Sequence, residues 1–510
     1  MPGELLSTLI LYSMKNKIKS VLIANRGEIA IRIARTAKKM GIKTFMFMTH
    51  EEPNATYLKS ADEIIDVTEE TFYNIFTNVN KIIESALKYN IDAIHPGYGF
   101  LSENPALARE CLHNNIVFIG PSHQHIDQMG NKGVARDIAI KNNVPVLPGS
   151  TGVITSLAEA EKIAASIGYP VIVKAVAGGG GKGMRVAYSE DDLPRMFNAA
   201  SREAMSVFGN AAVFIEKYVE NPRHIEFQVL ADQHGNVVHL FERECSIQRK
   251  HQKLLEEAPS PALDEETRNK MGQDAVRLCK ATGYYSVGTV EFLVDEHLNH
   301  FFMEMNTRIQ VEHPVTEEIT GIDLIEQQFR VANGEKLSFT QKDITRKGCA
   351  IEFRINAEDV QADFTPDNGI VETIKFPRKR KIRVDSGYVD GDIIPSCYDS
   401  LIAKLIVKGA DRKAVLKTAI STINNIKIKG VKTTLPFFKM VLNNEAFKQG
   451  NYSTSFIETE LEQNFYQEDN ELVAAILLGM TKYLNEINSI DNQQISEKNV
   501  SPWRLSRFFK

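Results

Sequence analysis

Apolar residues follow two different periods in the first part of the chain. A run of four, at residues 21–24, is suited to a strand that is buried on both faces. Apolar residues then recur at helical spacing as far as Gly41, and a second apolar run follows. This alternation of strand and helix continues to residues 117–121. It predicts a parallel sheet wrapped by helices over residues 17–126, preceded by an extension of residues 1–16.

The pattern changes after this domain and divides the rest of the chain into three parts. Residues 127–346 hold the glycine-rich loop and most of the charged motifs, and within them about 146–212 form an α+β lobe of their own. Residues 347–461 combine alternating strands with a long amphipathic helix over 412–423. Residues 462–510 begin with an apolar helical segment and end as a polar tail. We therefore expect a chain of α/β and α+β domains.

Composition excludes several classes of protein. The 510 residues include 60 Lys and Arg against 65 Asp and Glu, so the net charge is −5 and a globally basic nucleic-acid binder is excluded. No apolar run reaches the ~18 residues of a membrane span. The five scattered cysteines form no CxxC pair, which argues against a zinc ribbon and a disulfide framework. We expect a cytoplasmic protein that binds neither nucleic acid nor membrane.

A glycine-rich loop lies between two apolar strands. The strand over residues 171–174 ends in Lys174, and four glycines follow at 178–181. Glycine lets backbone N–H groups close around a phosphate. Because Lys182 is followed by Gly183 and then by a strand, the loop fits neither a P-loop nor a dinucleotide fingerprint.

The strand–loop–strand arrangement resembles the lid of the ATP-grasp superfamily, in which two lobes hold ATP between them. Lys132 and Lys174 are then the cationic contacts to phosphates. A flexible linker is the alternative, but linkers are rarely bracketed by apolar strands.

Two strictly alternating segments separated by four loop residues predict a β-hairpin. The expected register places Leu293 opposite Phe302 and Glu291 opposite Glu304. Facing carboxylates repel each other, so a positive group must lie between them. Asn306 points to the same face and adds an amide oxygen, which makes the set suitable for Mg²⁺. The alternative is that one glutamate pairs with a nearby lysine or arginine.

Five segments together resemble one family, biotin carboxylase. The resemblance covers about residues 17–461, and its segments are long and specific. They are residues 306–317 (NTRIQVEHPVTE), 95–104 (HPGYGFLSEN), 244–253 (ECSIQRKHQK), 23–28 (IANRGE) and 354–359 (RINAED). The resemblance implies a Rossmann-like N-terminal domain, a central ATP-grasp domain and a mixed C-terminal domain.

The resemblance also implies roles for individual residues. The implied ATP-binding residues are Lys132, Lys174, Gly180, Gly181, Glu216, Lys217, Val219, His224, His251, Glu291, Leu293 and Glu304. The implied ligands of Mg²⁺ or Mn²⁺ are Glu291, Glu304 and Asn306. The implied bicarbonate and biotin contacts are Tyr98, Lys253, Arg308, Gln310, Val311 and Arg354. Among these, Lys253, Arg308 and Arg354 are implied to be catalytic together with Glu312, which resembles the base that deprotonates bicarbonate.

The function implied is ATP- and bicarbonate-dependent carboxylation of biotin through carboxyphosphate. The chain has no Met-Lys-Met segment, so we expect the biotin to be on a separate biotin carboxyl carrier protein. A carboxyltransferase subunit of an acyl-CoA or pyruvate carboxylase, and a second copy of the chain in a homodimer, are the other expected partners. Two alternatives are another ATP-grasp ligase and a non-catalytic ATP-binding subunit. Neither needs Lys253, Arg308, Glu312 and Arg354 together.

Overall fold

The structure is a computed structural model that describes residues 17–69, 75–150, 152–175, 184–208, 211–461 and 476–482. The chain divides into two units, Met1–Ile457 and Glu458–Lys510. The expected extension, 1–16, lies outside the described residues. In the second unit, residues 476–482 are helical, within the predicted apolar segment.

The N-terminal part is a five-stranded sheet with the order β3-β2-β1-β4-β5, and every neighbouring pair is parallel. Its strands are short and apolar because helices cover both faces. The prediction of a helix-wrapped parallel sheet is confirmed. The elements are β1 (Ser20–Ile23), α1 (Gly27–Lys39), β2 (Lys43–Met48), a 3-10 turn (Thr56–Ser60), β3 (Glu63–Asp66), α2 (Val79–Lys88), β4 (Ala93–His95), α3 (Pro105–His113) and β5 (Val117–Phe118).

Two helices lead from this domain into a small lobe with the three-stranded sheet β7-β6-β8. The third strand extends to Lys217, five residues past the expected end of the lobe at residue 212. The glycines Gly180 and Gly181 lie outside the described residues. The elements are α4 (His123–Gly130), α5 (Lys132–Lys141), α6 (Leu157–Ile167), β6 (Val171–Ala175), β7 (Met184–Ala187), α7 (Leu193–Phe208) and β8 (Val213–Lys217).

An eight-stranded antiparallel sheet forms the centre of the first unit, with the order β13-β12-β9-β10-β11-β14-β21-β19. Three of its strands come from the C-terminal region, so the sheet is continuous across the expected boundary near residue 347. The chain segment that holds its first five strands has the elements β9 (Arg223–Ala231), β10 (Val237–Arg249), β11 (Gln252–Ala258), α8 (Glu265–Thr282), β12 (Ser286–Val294), β13 (His300–Asn306), α9 (His313–Thr320) and α10 (Leu324–Ala332).

The C-terminal region adds the remaining strands of the sheet, three short strand pairs, three α-helices and a π-helical turn (Ile457–Leu461). The predicted amphipathic helix over 412–423 has the expected bounds. After a 3-10 turn (Gln341–Asp343), the elements are β14 (Cys349–Asn356), β15 (Glu358–Asp359), β16 (Thr365–Pro366), β17 (Gly369–Ile370), β18 (Thr373–Lys375), β19 (Ile382–Ser386), β20 (Ile393–Ile394), β21 (Leu401–Gly409), α11 (Arg412–Ile423), β22 (Lys427–Lys429), α12 (Leu435–Asn443) and α13 (Glu445–Gln449).

The two faces of the central sheet differ in polarity. On β9, Ile225, Phe227 and Val229 pack in a core cluster with residues of helix α8 such as Met271 and Leu278. Successive strand residues point to opposite faces, so the polar residues between them lie on the other side. That opposite face carries the candidate site. Among the described residues, no helix is long and apolar enough to cross a membrane.

Candidate active site

Lys253 is at the centre of a buried group of carboxylates. From strand β11 its Nζ donates to Glu226 on β9, to Glu291 Oε1 on β12 (3.0 Å) and to Glu312 Oε1 before helix α9 (2.8 Å). Burial disfavours a charged lysine. The three carboxylates outweigh burial and raise the pKa of Lys253 well above its ordinary value. The group is a fixed positive charge among three acids.

Glu291 has a full set of hydrogen-bond donors. His224 Nε2 lies 2.8 Å from Glu291 Oε2, and Glu291 Oε1 accepts from Asn306 Nδ2 and Gln310 Nε2, each at 2.8 Å. Burial favours the protonated acid, but Lys253 and His224 reverse this and hold the pKa of Glu291 well below its ordinary value. This carboxylate is therefore ionised and oriented for a cation.

The predicted pairing of two carboxylates is confirmed, but the predicted register is wrong over half of the hairpin. Glu291 lies opposite Glu304. Leu293, however, lies opposite Phe301 rather than the residue after it, because the register shifts between Glu291 and Phe292. A bulge that adds one residue to β13 accounts for the difference. It restores the pairing of the two glutamates.

The predicted metal ligands lie close together on this hairpin. The side chain of Glu291 is 6% exposed and that of Glu304 is 36% exposed, so one carboxylate is buried and the other is accessible to solvent. Asn306, two residues after Glu304, contacts Glu291 through its amide nitrogen. Lys132 Nζ lies 3.2 Å from Glu304 Oε2. The carboxylates of Glu291 and Glu304 and the amide oxygen of Asn306 are hard oxygen donors, so the chemistry of this set fits Mg²⁺.

Glu312 lies between two cations. Its Oε2 accepts from Arg354 NH2 on strand β14 (2.8 Å), and its Oε1 accepts from Lys253. Burial raises its pKa, but Lys253, Arg354 and Arg243 outweigh burial and lower it far below the ordinary value. The arrangement provides a carboxylate that is ionised at neutral pH, held between the two cations.

Arg354 is itself held on two sides, because it also pairs with Glu256 on β11. The guanidinium side chain is 15% exposed. Burial opposes its charge, yet Glu256 and Glu312 raise the pKa of Arg354. Burial raises the pKa of Glu256 to about 7 in spite of Arg354.

The loop after β13 brings three more predicted residues to the group. Arg308 donates to Glu103 Oε2 (2.8 Å) and to Asn306 Oδ1 (3.1 Å), and its side chain is 21% exposed. Gln310 is buried against Glu291. The carbonyl oxygen of Val311 accepts from Lys404 Nζ on β21 (2.8 Å).

The N-terminal domain reaches the same loop through Tyr98. Its hydroxyl donates to Glu28, at the start of helix α1, and Glu28 Oε1 lies 2.9 Å from Lys404 Nζ. Lys404 Nζ also lies 5.9 Å from the centre of the Tyr98 ring. Tyr98 is thus linked to Val311 through Lys404, although the two are far apart in the chain.

A second group of opposite charges lies in the lobe. Lys174 Nζ on β6 donates to Glu216 Oε2 on β8 at 2.5 Å, and Arg136 NH1 lies 3.7 Å from Glu216 Oε1. Burial raises the pKa of Glu216, but Lys174 and Arg136 outweigh it and lower the pKa. Lys217, the next residue, instead donates to the carbonyls of Gly168 (3.2 Å) and Tyr169 (2.8 Å).

Comparison with known proteins finds matches along most of the chain. Family models match residues 17–126 (biotin carboxylase, N-terminal domain), 131–340 (carbamoyl-phosphate synthase L chain, ATP binding domain) and 352–459 (biotin carboxylase C-terminal domain). Biotin carboxylase of Nostoc sp. is 49% identical over 442 residues, which are 87% of this chain and 99% of that protein. The chain belongs to the biotin carboxylase family.

Other similar proteins include a subunit of a 2-oxoglutarate carboxylase and solved biotin carboxylase structures. The small subunit of the Hydrogenobacter thermophilus 2-oxoglutarate carboxylase is 46% identical over 86% of this chain and 93% of that protein. The biotin carboxylase domain dimer of that carboxylase, solved with MgADP, ADP and bicarbonate, superposes with a TM-score of 0.82. That domain is 45% identical, and the match covers 87% of this chain and 98% of that one. A β,γ-ATP complex of biotin carboxylase from Campylobacter jejuni also superposes with a TM-score of 0.82. It is 44% identical, and the match covers 87% of this chain and 99% of that one.

Three further residues that the biotin carboxylase resemblance implied for ATP are apolar or exposed neighbours of this site. His251 is exposed at the turn between β10 and β11. Val219 is half-buried in the segment after β8. Leu293 is half-buried on β12, opposite His224 of β9.

Sequence reasoning missed several residues of this buried charged group. Arg243 on β10 is fully buried and holds both Glu226 and Gln310. A signal was available on β9, where His224, Glu226 and Gln228 alternate with apolar residues. That alternation is typical of a strand with one solvated face, yet all three polar residues are buried. The other missed residues are Glu28, Glu103, Glu256 and Lys404.

Proposed function

We propose that this chain uses ATP and bicarbonate to carboxylate biotin on a separate carrier protein. The observation that carries the proposal is the interlocked group of Lys253, Glu312 and Arg354 beside Glu291. Bicarbonate is a poor electrophile, and phosphorylation by ATP converts it to carboxyphosphate, which can release CO₂. An ATP-grasp ligase with another substrate has no use for this group as a whole.

Glu312 is the proposed base. Its carboxylate is ionised at neutral pH because Lys253 and Arg354 flank it. When bicarbonate takes up contacts with these cations, Glu312 loses part of their stabilisation and becomes a stronger base. It then accepts the proton of bicarbonate, and the freed oxygen attacks the γ-phosphorus while the bond from that phosphorus to the bridging oxygen of ADP breaks and ADP leaves.

Cations hold the anions of this reaction. Arg308 offers a planar guanidinium that suits a planar oxyanion, and Lys253, Gln310 and Val311 complete the proposed bicarbonate site. When bound, Mg²⁺ or Mn²⁺ neutralises charge on the phosphates, and Glu291, Glu304 and Asn306 are the residues that would hold it.

Arg354 is proposed to stabilise the biotin enolate. The phosphate that remains when carboxyphosphate releases CO₂ accepts the ureido proton, so negative charge develops on the ureido oxygen before the nitrogen attacks CO₂. A guanidinium held by Glu256 and Glu312 needs little reorganisation to meet that charge. Tyr98 is proposed to lie at the same subsite, since it reaches the loop through Lys404.

The nucleotide is proposed to lie between the lobe and the carboxylate group. Lys132 and Lys174 are the phosphate contacts. The remaining proposed ATP contacts are Gly180, Gly181, Glu216, Lys217, Val219, His224, His251 and Leu293.

The expected partners follow from the reaction. Biotin must arrive on a carrier protein, and a carboxyltransferase must use the product. We also propose a homodimer, since the Hydrogenobacter thermophilus domain is a dimer. The cytoplasmic location stays a prediction.

ATP hydrolysis by the purified chain tests the function. We expect ADP formation that requires bicarbonate and rises with free biotin. Arg354→Ala should lower biotin-dependent turnover by about 10²–10⁴-fold and leave nucleotide binding intact. The control is Arg330→Ala, since Arg330 is half-exposed on α10 and, among the described residues, pairs with the neighbouring acids Glu326 and Glu335. ATP turnover indifferent to biotin would refute the proposal.

A further inference from the structure

Two buried glutamates face each other on the central sheet, next to Arg354. Glu256 on β11 lies directly opposite Glu352 on β14, so their side chains point to the same face. Glu352 precedes Arg354 by two residues on the same strand and therefore shares that face. Both glutamates are 0% exposed. We call Glu256 and Glu352 the carboxyl pair, and the reaction described above gives Glu352 no role.

The carboxyl pair has few partners. Among the described residues, Glu256 Oε2 and both carboxylate oxygens of Glu352 have no hydrogen-bond partner. Glu256 Oε1 forms an ion pair with Arg354 NH2. A buried carboxylate without donors is strongly disfavoured, whereas a protonated carboxyl group can donate its own O–H. The geometry therefore favours a proton on the pair.

One side of the carboxyl pair is apolar. Ile406 of β21 lies directly opposite Glu352. It belongs to a buried apolar cluster with residues of β11, β14 and helix α9, namely Ala258, Ala350, Val315 and Ile319. The pair thus lies at the border between this cluster and the charged site. An apolar neighbourhood strengthens the repulsion between two ionised carboxylates.

Titratable groups face the carboxyl pair from each neighbouring strand and from the start of α9. They are Lys253 on β11, Cys245 on β10, Arg354 on β14, Lys404 on β21 and Glu312 before α9. Burial raises the pKa of the Cys245 thiol, so it adds no charge at neutral pH. The three cations in this set also hold acids outside the pair.

The surrounding charges are balanced without the carboxyl pair. Three buried cations meet three buried acids: Lys253, Arg243 and Arg354 against Glu226, Glu291 and Glu312. Lys404 pairs with Glu28. A charged His224 adds one positive charge, and two ionised carboxylates in the pair would still exceed it. A proton on the pair removes this excess negative charge.

Two acids contact the same nitrogen of Arg354. Glu312 Oε2 lies 2.8 Å from Arg354 NH2, the atom that also pairs with Glu256. A more negative carboxyl pair therefore draws the guanidinium towards Glu256 and away from Glu312. Burial raises the pKa of Glu352 well above its ordinary value; Lys404 opposes this effect, and Glu256 adds to it.

We propose that Glu256 and Glu352 share one proton at neutral pH and that this pair positions Arg354 for the biotin enolate. Glu352 is a positioning residue, since it acts on biotin only through Arg354. When pH rises and the shared proton passes to solvent, the second negative charge draws Arg354 towards the pair, and the guanidinium stabilises the enolate less. This role deepens the proposed function and rests on it.

Glu352→Gln tests the positioning role, because the amide has nearly the shape of a carboxyl group and carries no charge at any pH. Just above neutral pH, the variant should keep the biotin-dependent ATP hydrolysis of the unchanged protein. At higher pH the unchanged protein should lose about tenfold or more of this turnover relative to the variant, with equal KM for ATP in both. Glu358→Gln is the matched control, since Glu358 is also buried but accepts from Ser400 and Asn356.

Infrared spectroscopy tests the shared proton without turnover. Just above neutral pH, the unchanged protein should show the carbonyl-stretch band of a protonated carboxyl group. Glu352→Gln should lose this band, and Glu358→Gln should keep it. The same band in Glu352→Gln would overturn the shared proton.

Two results would overturn the positioning role. One is a loss of biotin-dependent turnover in Glu352→Gln just above neutral pH, and the other is a decline at high pH equal to that of the unchanged protein. If the unchanged protein shows the infrared band but no biotin-dependent turnover, the proposed function fails and the positioning role fails with it, while the shared proton stands.

Discussion

At the scale of single residues, the site is set by a contest between burial and charge. Lys253 keeps its charge because Glu226, Glu291 and Glu312 surround it, and Glu291 and Glu312 keep theirs because Lys253 is there. Burial of any one member alone would favour its neutral form. The group is therefore interdependent, and removal of one member takes a charged partner away from each of its buried neighbours.

Lys253→Met should show this interdependence. It leaves three buried carboxylates without their shared cation, so we expect a loss of about 3–5 kcal/mol in unfolding free energy and loss of biotin-dependent turnover. Thermal and denaturant unfolding measure the first effect. The control is Lys132→Met, at a lysine that is 73% exposed beside Glu304 and should change stability by about 0.5 kcal/mol or less. Similar stability in both variants would contradict the interdependence.

Glu256 and Glu312 should change the free energy of unfolding in opposite directions as pH rises. Burial raises its pKa from 4.5 to about 7, so the folded protein keeps a proton that the unfolded chain releases at lower pH. The contribution of Glu256 to stability therefore falls as pH rises from about 4.5 to about 7, by about 3 kcal/mol at most.

Glu256→Gln removes this titration. We expect the midpoint of thermal unfolding of the unchanged protein to fall, relative to that of the variant, as pH rises through this range. A constant difference between the two midpoints would contradict the assignment.

At the scale of elements, alternation predicts which residues share a face but not where a strand gains a residue. The pairing of Glu291 with Glu304 was predicted from alternation, whereas the bulge was not, because no glycine or proline in β13 marks it. The helix over 412–423 was predicted to its end residues, because its apolar spacing is regular. The burial of polar residues on β9 was missed, because alternation predicts a polar face but does not show whether solvent or other charged side chains cover it.

The strand pair β18 and β22 leads to a prediction about stability, because two of its lysines lie directly opposite each other. Lys427→Glu places a carboxylate opposite Lys375, so repulsion becomes attraction and the unfolding free energy should rise by about 0.5 kcal/mol. Lys429→Glu is the control, because Thr373 is its opposite residue and the gain should be smaller. Denaturant unfolding of both variants measures the difference. If Lys427→Glu lowers stability, the repulsion inferred from the register is wrong.

At the scale of the whole molecule, all three regions contribute to one site. The central sheet supplies Glu291 and Lys253, the C-terminal region supplies Arg354, and the N-terminal domain reaches in through Tyr98 and Glu103. Tyr98 and Arg354 were predicted from the sequence because their motifs resemble those of biotin carboxylase. Lys404 lies in an ordinary apolar strand, so only the folded chain shows that it connects the domains.

The central claim is that this assembled site carboxylates biotin. Incubation of the purified chain with ATP, Mg²⁺, labelled bicarbonate and free biotin measures it directly. We predict labelled carboxybiotin that forms only when ATP is present and that falls by about 10²-fold or more in Glu312→Gln. ATP hydrolysis without labelled carboxybiotin would contradict the claim.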